Sequence, residues 1–212
     1  EGATKGNVLL RRQQHFACDE GDWTLSIARQ FVAGKIHNSR HVLLRAARDG
    51  NNEPALRIAA DRLGDILERL RSTTDLNLLR GAEGEAARAY FDVFGYMVRG
   101  DKEAFTPDGR TRRPPRDRAN ALLSFLYALV RAECVAAIEG VGLDPQIGFL
   151  HALRPGRPAL ALDLMEEFRP ILADRLVLTL VNRKQLKADH FEASPGGAVL
   201  LTDDGRKAVI AA

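Results

Sequence analysis

Apolar residues recur at helical spacing along most of this chain of 212 residues, and that rhythm sets its class before any motif is considered. Leu25, Ala28, Phe31, Val32 and Ile36 share one face of a helix expected over residues 23–36, with Asp22 as its N-cap. Pro54 stands in the favoured first turn of the next helix, whose face carries Leu56, Ala60, Leu63, Leu67 and Leu70. Ser72-Thr73-Thr74-Asp75 supplies capping side chains for a third pattern over residues 76–97. Asp117 caps a very apolar helix over residues 119–139, which Gly140 and Gly142 end. A last helical pattern covers residues 159–187, with Pro170 as a kink or break inside it. The connections read differently. Residues 5–10 suggest a strand end or linker, Gly50-Asn51-Asn52 a loop, and residues 100–118 a polar loop with Arg110, Arg112, Arg113, Arg116 and Arg118. Apolar runs at 198–202 and 206–210, around Asp203-Asp204-Gly205, predict a β-hairpin. The expected fold is mainly α with a small β appendage.

Composition narrows the function classes. Hydrophobic residues at 45% and charged residues at 28% are the balance of a soluble globular protein, which excludes collagen-like and wholly disordered chains. Cys18 and Cys134 are far apart, so neither a disulfide scaffold nor a cysteine zinc site is expected, and a reducing cytoplasm is the default compartment. No secretory signal pattern opens the chain, and the longest apolar run, residues 121–130, is too short to span a bilayer. Of the 31 basic residues, 25 are arginine, the side chain suited to forked contacts with phosphate. The net charge is only +3, and a high-GC genome produces the same arginine excess, so composition alone does not separate nucleic-acid binding from codon bias.

Three places could carry chemistry. Glu83 lies on the apolar stripe of its own helix, with Leu76, Leu79, Ala86, Ala87 and Tyr90 at i−7 to i+7. A carboxylate there needs a cation, either a buried arginine or a metal. Its neighbour Glu85 points the other way and reads as solvated. Asp163 and Glu166 are i, i+3 on one helix face, a pairing that suits a hard divalent cation and equally an acidic first turn complementing the helix dipole. His151 follows an apolar pair and precedes an arginine-bearing turn. His37 and His41, at i, i+4, have no evident third ligand. A Walker loop, a nucleophile elbow and a His-Glu-x-x-His helix are all missing from the sequence. Together Glu83, His151 and the 163–166 acids make a mixed oxygen and nitrogen donor set for Mg²⁺ or Mn²⁺ near many arginines, which is what phosphodiester chemistry needs.

Four motifs then occur in one order. They are Leu79-Arg80-Gly81-Ala82-Glu83-Gly84, the loop Arg113-Pro114-Pro115-Arg116-Asp117 running into Asn120-Ala121-Leu122-Leu123-Ser124, Gly148-Phe149-Leu150-His151, and Asp163-Leu164-Met165-Glu166-Glu167-Phe168-Arg169-Pro170. In this the chain resembles, over nearly its whole length, the CRISPR-associated endonuclease/integrase family of the adaptation machinery, which inserts new spacers into a CRISPR array. The resemblance implies a helical catalytic domain over residues 22–212, with a truncated or disordered C-terminal end. It implies that residues 1–21 are the linker or remnant of an N-terminal β-rich dimerisation domain, most of which is missing. It implies one Mg²⁺ or Mn²⁺ ion held by Glu83, His151 and Glu166, where many members have Asp at the last position, and Asp163 as a supporting acid. Arg113, Arg116, Arg154 and Arg169 are expected to contact DNA phosphates. The implied partners are double-stranded and branched DNA, a second copy of the chain and a small ferredoxin-fold adaptation protein, in a prokaryotic cytoplasm without a membrane. Two other classes stay open: a non-catalytic helical DNA-binding scaffold working through residues 110–118, and a transposon-borne integrase relative.

Overall fold

A computed structural model of the chain describes residues 7–51 and 53–212. Among them the helices are α1 (Val8–Asp19), α2 (Gly21–Ala46), α3 (Pro54–Leu70), α4 (Leu76–Asp92), α5 (Lys102–Phe105), α6 (Arg118–Gly140), α7 (Ala159–Phe168), α8 (Arg175–Asn182) and α9 (Asp203–Ile210). A single antiparallel pair, β1 (Phe191–Ala193) with β2 (Val199–Leu201), sets Phe191 opposite Leu201. The fold is therefore mainly α with a two-stranded sheet.

Helix α2 is the central post. It packs against α1, α3, α4 and α7, and buries Ala28, Val32, Ile36 and Leu43. Leu56, Leu63 and Ile66 of α3 and Leu79 of α4 complete one side of the core; Leu122 and Leu123 of α6 lie in its other part. Each fully buried leucine is worth about 1.5–3 kcal/mol of transfer from water. Asp75 and Asp117 cap α4 and α6 with their carboxylates, as the sequence indicates. Helix α6 is long and apolar enough to cross a membrane by length and composition alone. In the fold it packs on α7 and β2, and its second half exposes Arg131 and Glu133, as a helix facing water would.

Five expectations need correction, the hairpin among them. The strand end or linker expected at residues 5–10 is helical from Val8 onward, while residues 5 and 6 lie outside the described residues. Asn7 Oδ1 accepts from the amides of Leu9 and Leu10 and starts α1. Gln14 then anchors that helix, donating to Asp144 O and Ile147 O at 2.8 and 2.7 Å and accepting from Asp144 N. Helix α2 begins at Gly21 rather than behind an Asp22 cap, and continues past Ile36 to Ala46. The polar stretch that hides this continuation is spent on contacts: Ser39 is buried, and Asn38 Nδ2 donates to Glu167 O at 2.8 Å. The Gly50-Asn51-Asn52 loop is replaced over its described residues by a π-helical turn, Ala47–Asn51, that finishes α2. Pro170 lies in a second π-helical turn, Arg169–Asp174, and the helical stretch ends at Asn182.

The hairpin sits one segment earlier than expected. Its second strand is β2, its first is β1, and residues 203–210 form α9. Thr202 Oγ1 accepts from Gly205 N at 3.1 Å, and Asp203 and Asp204 fill the first turn, so Thr-Asp-Asp-Gly is a helix start and not a hairpin turn. Gly205 is required there, because a Cβ would stand 2.4 Å from His190 O.

Candidate active site

The site forms where α4, α2 and α7 meet. Helix α4 presents Glu83 and α7 presents Glu166, and both reach the same side chain, Lys35 of α2. The Lys35 ammonium contacts Glu83 Oε1 and lies 2.6 Å from Glu166 Oε2. Glu83 is not buried as its apolar stripe suggests; its side chain is 26% exposed and its cation is a lysine, not an arginine. Glu166 is 4% exposed and is held from its other oxygen by Arg169 Nη1 at 2.6 Å. Burial pushes the Glu166 carboxyl up, but Lys35 and Arg169 pull it further down, and the balance leaves it below the usual glutamate value.

His151 is near enough to Glu166 that its ring, when protonated, would favour the ionised carboxylate. The turn that carries it is organised by Asp163, which is fully buried. Asp163 accepts from three successive amides: Phe149 N at 2.6 Å, Leu150 N at 2.9 Å and His151 N at 2.9 Å. It also lies 2.7 Å from His151 Nδ1. An ionised carboxylate only accepts, so the proton between the two is assigned to Nδ1; in the neutral ring that tautomer leaves the Nε2 lone pair free, the arrangement common among metal-binding histidines. Gly148 makes the turn possible, since a Cβ there would meet Ala159 C at 2.6 Å and Asp163 Oδ2 at 2.7 Å. Arg80 ties the turn back to α4, its Nε and Nη2 donating to Leu150 O at 2.9 and 2.7 Å.

The expected donor set is thus only partly assembled. Glu83 and Glu166 converge on one positive charge, but among the described residues no group of three or more His, Cys, Asp or Glu side chains is arranged to hold a metal ion. The two carboxylates on one cation are oxygen donors of the kind that a hard divalent ion takes, and here the Lys35 ammonium fills the place between them. Asp163 and Glu166 share a helix face but divide the work, one shaping the histidine turn and the other facing the cations.

The expected phosphate contacts fall into two groups. Arg113, Arg116 and Arg154 are exposed. Arg169 is turned inward, clasping Glu166 while its guanidinium lies 4.8 Å over the Tyr127 ring, and its side chain is 15% exposed. Arg110 is also directed inward, over Phe91 and Tyr127 and onto Asn120 Oδ1 at 2.7 Å. Glu85 pairs with Arg62 and Arg69 of α3, and its hydrogen bond from Arg69 is the largest influence holding its pKa below the usual value. His37 and His41 pack ring against ring, 4.5 Å between centroids. Lys35 belongs to no motif in the sequence; in the fold it lies on a buried stripe of α2, with Ala28, Val32, Ser39 and Val42 at i−7 to i+7 from it.

A helical domain that gathers two carboxylates around one cation, beside a carboxylate-anchored histidine, carries the donor types of a phosphoryl-transfer site. The family model described as CRISPR associated protein Cas1 matches residues 1–212, and the chain belongs to that family. It is 56% identical, over 99% of its length, to the CRISPR-associated endonuclease Cas1 1 of Moorella thermoacetica, and covers 62% of that protein. It spans about three fifths of the length of such curated relatives. Among solved structures it resembles a Cas1 protein from Thermotoga maritima, with TM-score 0.85 and 30% identity, over 97% of this chain and 62% of the other. A casposase bound to its integration product gives TM-score 0.84 and 27% identity, over 95% of this chain and 57% of the other. A partial Cas6-RT-Cas1–Cas2 complex gives TM-score 0.83 and 30% identity, over 93% and 58%.

Proposed function

We propose that this chain is the catalytic part of a divalent-metal-dependent DNA endonuclease and integrase that inserts new spacers into a CRISPR array. The observation that carries this reading is the convergence of Glu83 and Glu166, from separate helices, on one positive charge beside His151. Glu83, His151 and Glu166 would hold Mg²⁺ or Mn²⁺, which when bound supplies Lewis-acid polarisation of a phosphoryl oxygen. The chain's own residues do the rest. Asp163 fixes the tautomer and orientation of His151, Arg80 holds its turn against α4, and Arg113, Arg116 and Arg154 bind the DNA backbone without reading sequence. The 3′-hydroxyl of an incoming fragment attacks a phosphodiester at the leader–repeat junction, forming one P–O bond as another breaks and a 3′-hydroxyl leaves. Water in the same place gives cleavage of branched DNA.

The relative from Moorella thermoacetica is named an endonuclease, and the casposase structure holds an integration product, which supports both halves of the activity. Identity of 56% to the former against 27% to the latter favours the CRISPR role over the transposon one. The similarity to a Cas1–Cas2 complex supports a partner protein; in this reading that partner is a small adaptation protein, which works with a second copy of the chain in a prokaryotic cytoplasm. The test is Glu83→Ala in the full-length protein. Mn²⁺-dependent strand transfer and cleavage should vanish while DNA binding stays close to wild type. Retained strand transfer overturns the assignment, and salt-sensitive DNA binding with no Mn²⁺ binding at all points to a scaffold instead.

A further inference from the structure

We propose that Lys35 is a resident counter-cation, whose ammonium holds Glu83 and Glu166 together until a divalent cation displaces it. This rests on the metal reading above and adds a residue that competes with the metal for its seat.

The charge balance is the starting point. Glu83 and Glu166 bring two negative charges, and Lys35 and Arg169 bring two positive ones. Lys35 and Glu166 are both buried, so the cluster is compensated internally and with little help from water. A divalent ion entering between the same carboxylates would set four positive charges against two negative ones, within a few ångströms and in poorly solvated surroundings. At such separations like charges in a partly screened site repel strongly. One cation has to leave. Arg169 is fixed by its stacking on Tyr127 and its contact with Met165 Sδ at 3.5 Å. Lys35 is a point charge on a flexible stem, with no forked geometry to give up. Lys35 also borders a small cavity of about 20 Å³, with Ser39, Tyr90, Arg112, Tyr127, Arg169 and Asp174 in its walls.

The arrangement explains why two acids from different helices stay in register without metal. Lys35 is the third corner, joining α2 to α4 and α7 at the point where the site must be preorganised.

The experiment measures Mn²⁺ affinity of the full-length protein by electron paramagnetic resonance of free Mn²⁺, with thermal unfolding in chelator and in Mn²⁺ as a second readout. Lys35→Met removes the competing charge at nearly constant volume and should bind Mn²⁺ more tightly, by about tenfold or more. It should also unfold earlier in chelator and gain more from Mn²⁺ than wild type does. Lys35→Arg substitutes a forked cation that grips both carboxylates harder, and should bind Mn²⁺ more weakly than wild type; it keeps the test decisive if Lys35→Met does not fold. Equal affinities in wild type and variants, or weaker binding in Lys35→Met, overturn the proposal and leave the metal site standing. Wild-type protein that binds no Mn²⁺, together with variants that bind none, overturns both.

Discussion

Glu166 and Asp174 stand eight residues apart in one helical stretch and both are buried, yet the protein treats their charges in opposite ways. Burial opposes ionisation at each. At Glu166 two cations outweigh it, with Lys35 at 2.6 Å and Arg169 at 2.6 Å, and the carboxyl is held below its usual range. At Asp174 burial wins. Its closest hydrogen-bond donor is a phenol, Tyr127 Oη at 2.7 Å, and Arg169 and Arg110 act only from further away, so its pKa rises from 3.8 to about 6. On the proposal above, a carboxylate kept ionised by a movable cation is ready to exchange that cation for a ligand. A carboxylate held by neutral donors is a structural pin. The same helix supplies both, and what separates them is the partner that α2 or α6 presents.

The comparison breaks most easily at Glu166. Glu166→Ala leaves Arg169 buried over Tyr127 without its carboxylate and halves the charge that Lys35 answers. Losing one partner of a buried pair costs about 3–5 kcal/mol, and urea unfolding should show a loss of that order. A loss below about 1 kcal/mol would mean that water reaches the cluster and that Glu166 resembles a surface acid.

Asp174 gives the second test, through pH. Its folded pKa is raised, so between about pH 4 and pH 6 the native state holds a proton that the unfolded chain has released. Stability contributed by this group therefore falls as pH rises through that window and is flat above it. Asp174→Asn keeps an acceptor for Tyr127 and cannot ionise. The melting temperature of the variant relative to wild type should climb from pH 4 to pH 6, by roughly 5 °C, and then level off. A constant difference across the window would show that Asp174 is ionised throughout, as Glu166 is.

Much of this was legible from spacing. Glu83 stood out because a carboxylate on an apolar stripe needs a cation, and Glu166 and His151 fell into place through motif order. The partner was not legible, because Lys35 lies in a helix whose apolar pattern fades after Ile36, and polar side chains such as Asn38 and Ser39 turn out to face other elements. The two ends were misread for a local reason. Asn7 and Thr202 are caps that serve helix starts, and neither is followed by a long apolar run that would announce a helix. Arg169 is expected at DNA phosphates from its place beyond Glu166, and its inward contact with Tyr127 of α6, distant in sequence, is not written in the local pattern.

Glu85 provides the smallest effect and the cleanest control. Like Glu166 it touches two cations, Arg69 at 2.8 Å and Arg62 at 3.3 Å, and its pKa is likewise lowered, with the Arg69 hydrogen bond as the main cause. The difference is water: both arginines are more than half exposed. Long side chains lose rotamer freedom to hold such a pair, and solvent and salt screen it, so exposed pairs rarely exceed about 1 kcal/mol. Glu85→Ala should therefore change urea stability by less than that, and the small difference should shrink further as ionic strength rises, since screening acts within about 10 Å at 0.1 M salt. If Glu85→Ala cost as much as Glu166→Ala, cation number rather than burial would set the worth of these clusters, and the distinction between a poised carboxylate and an ordinary surface pair would have to be drawn elsewhere.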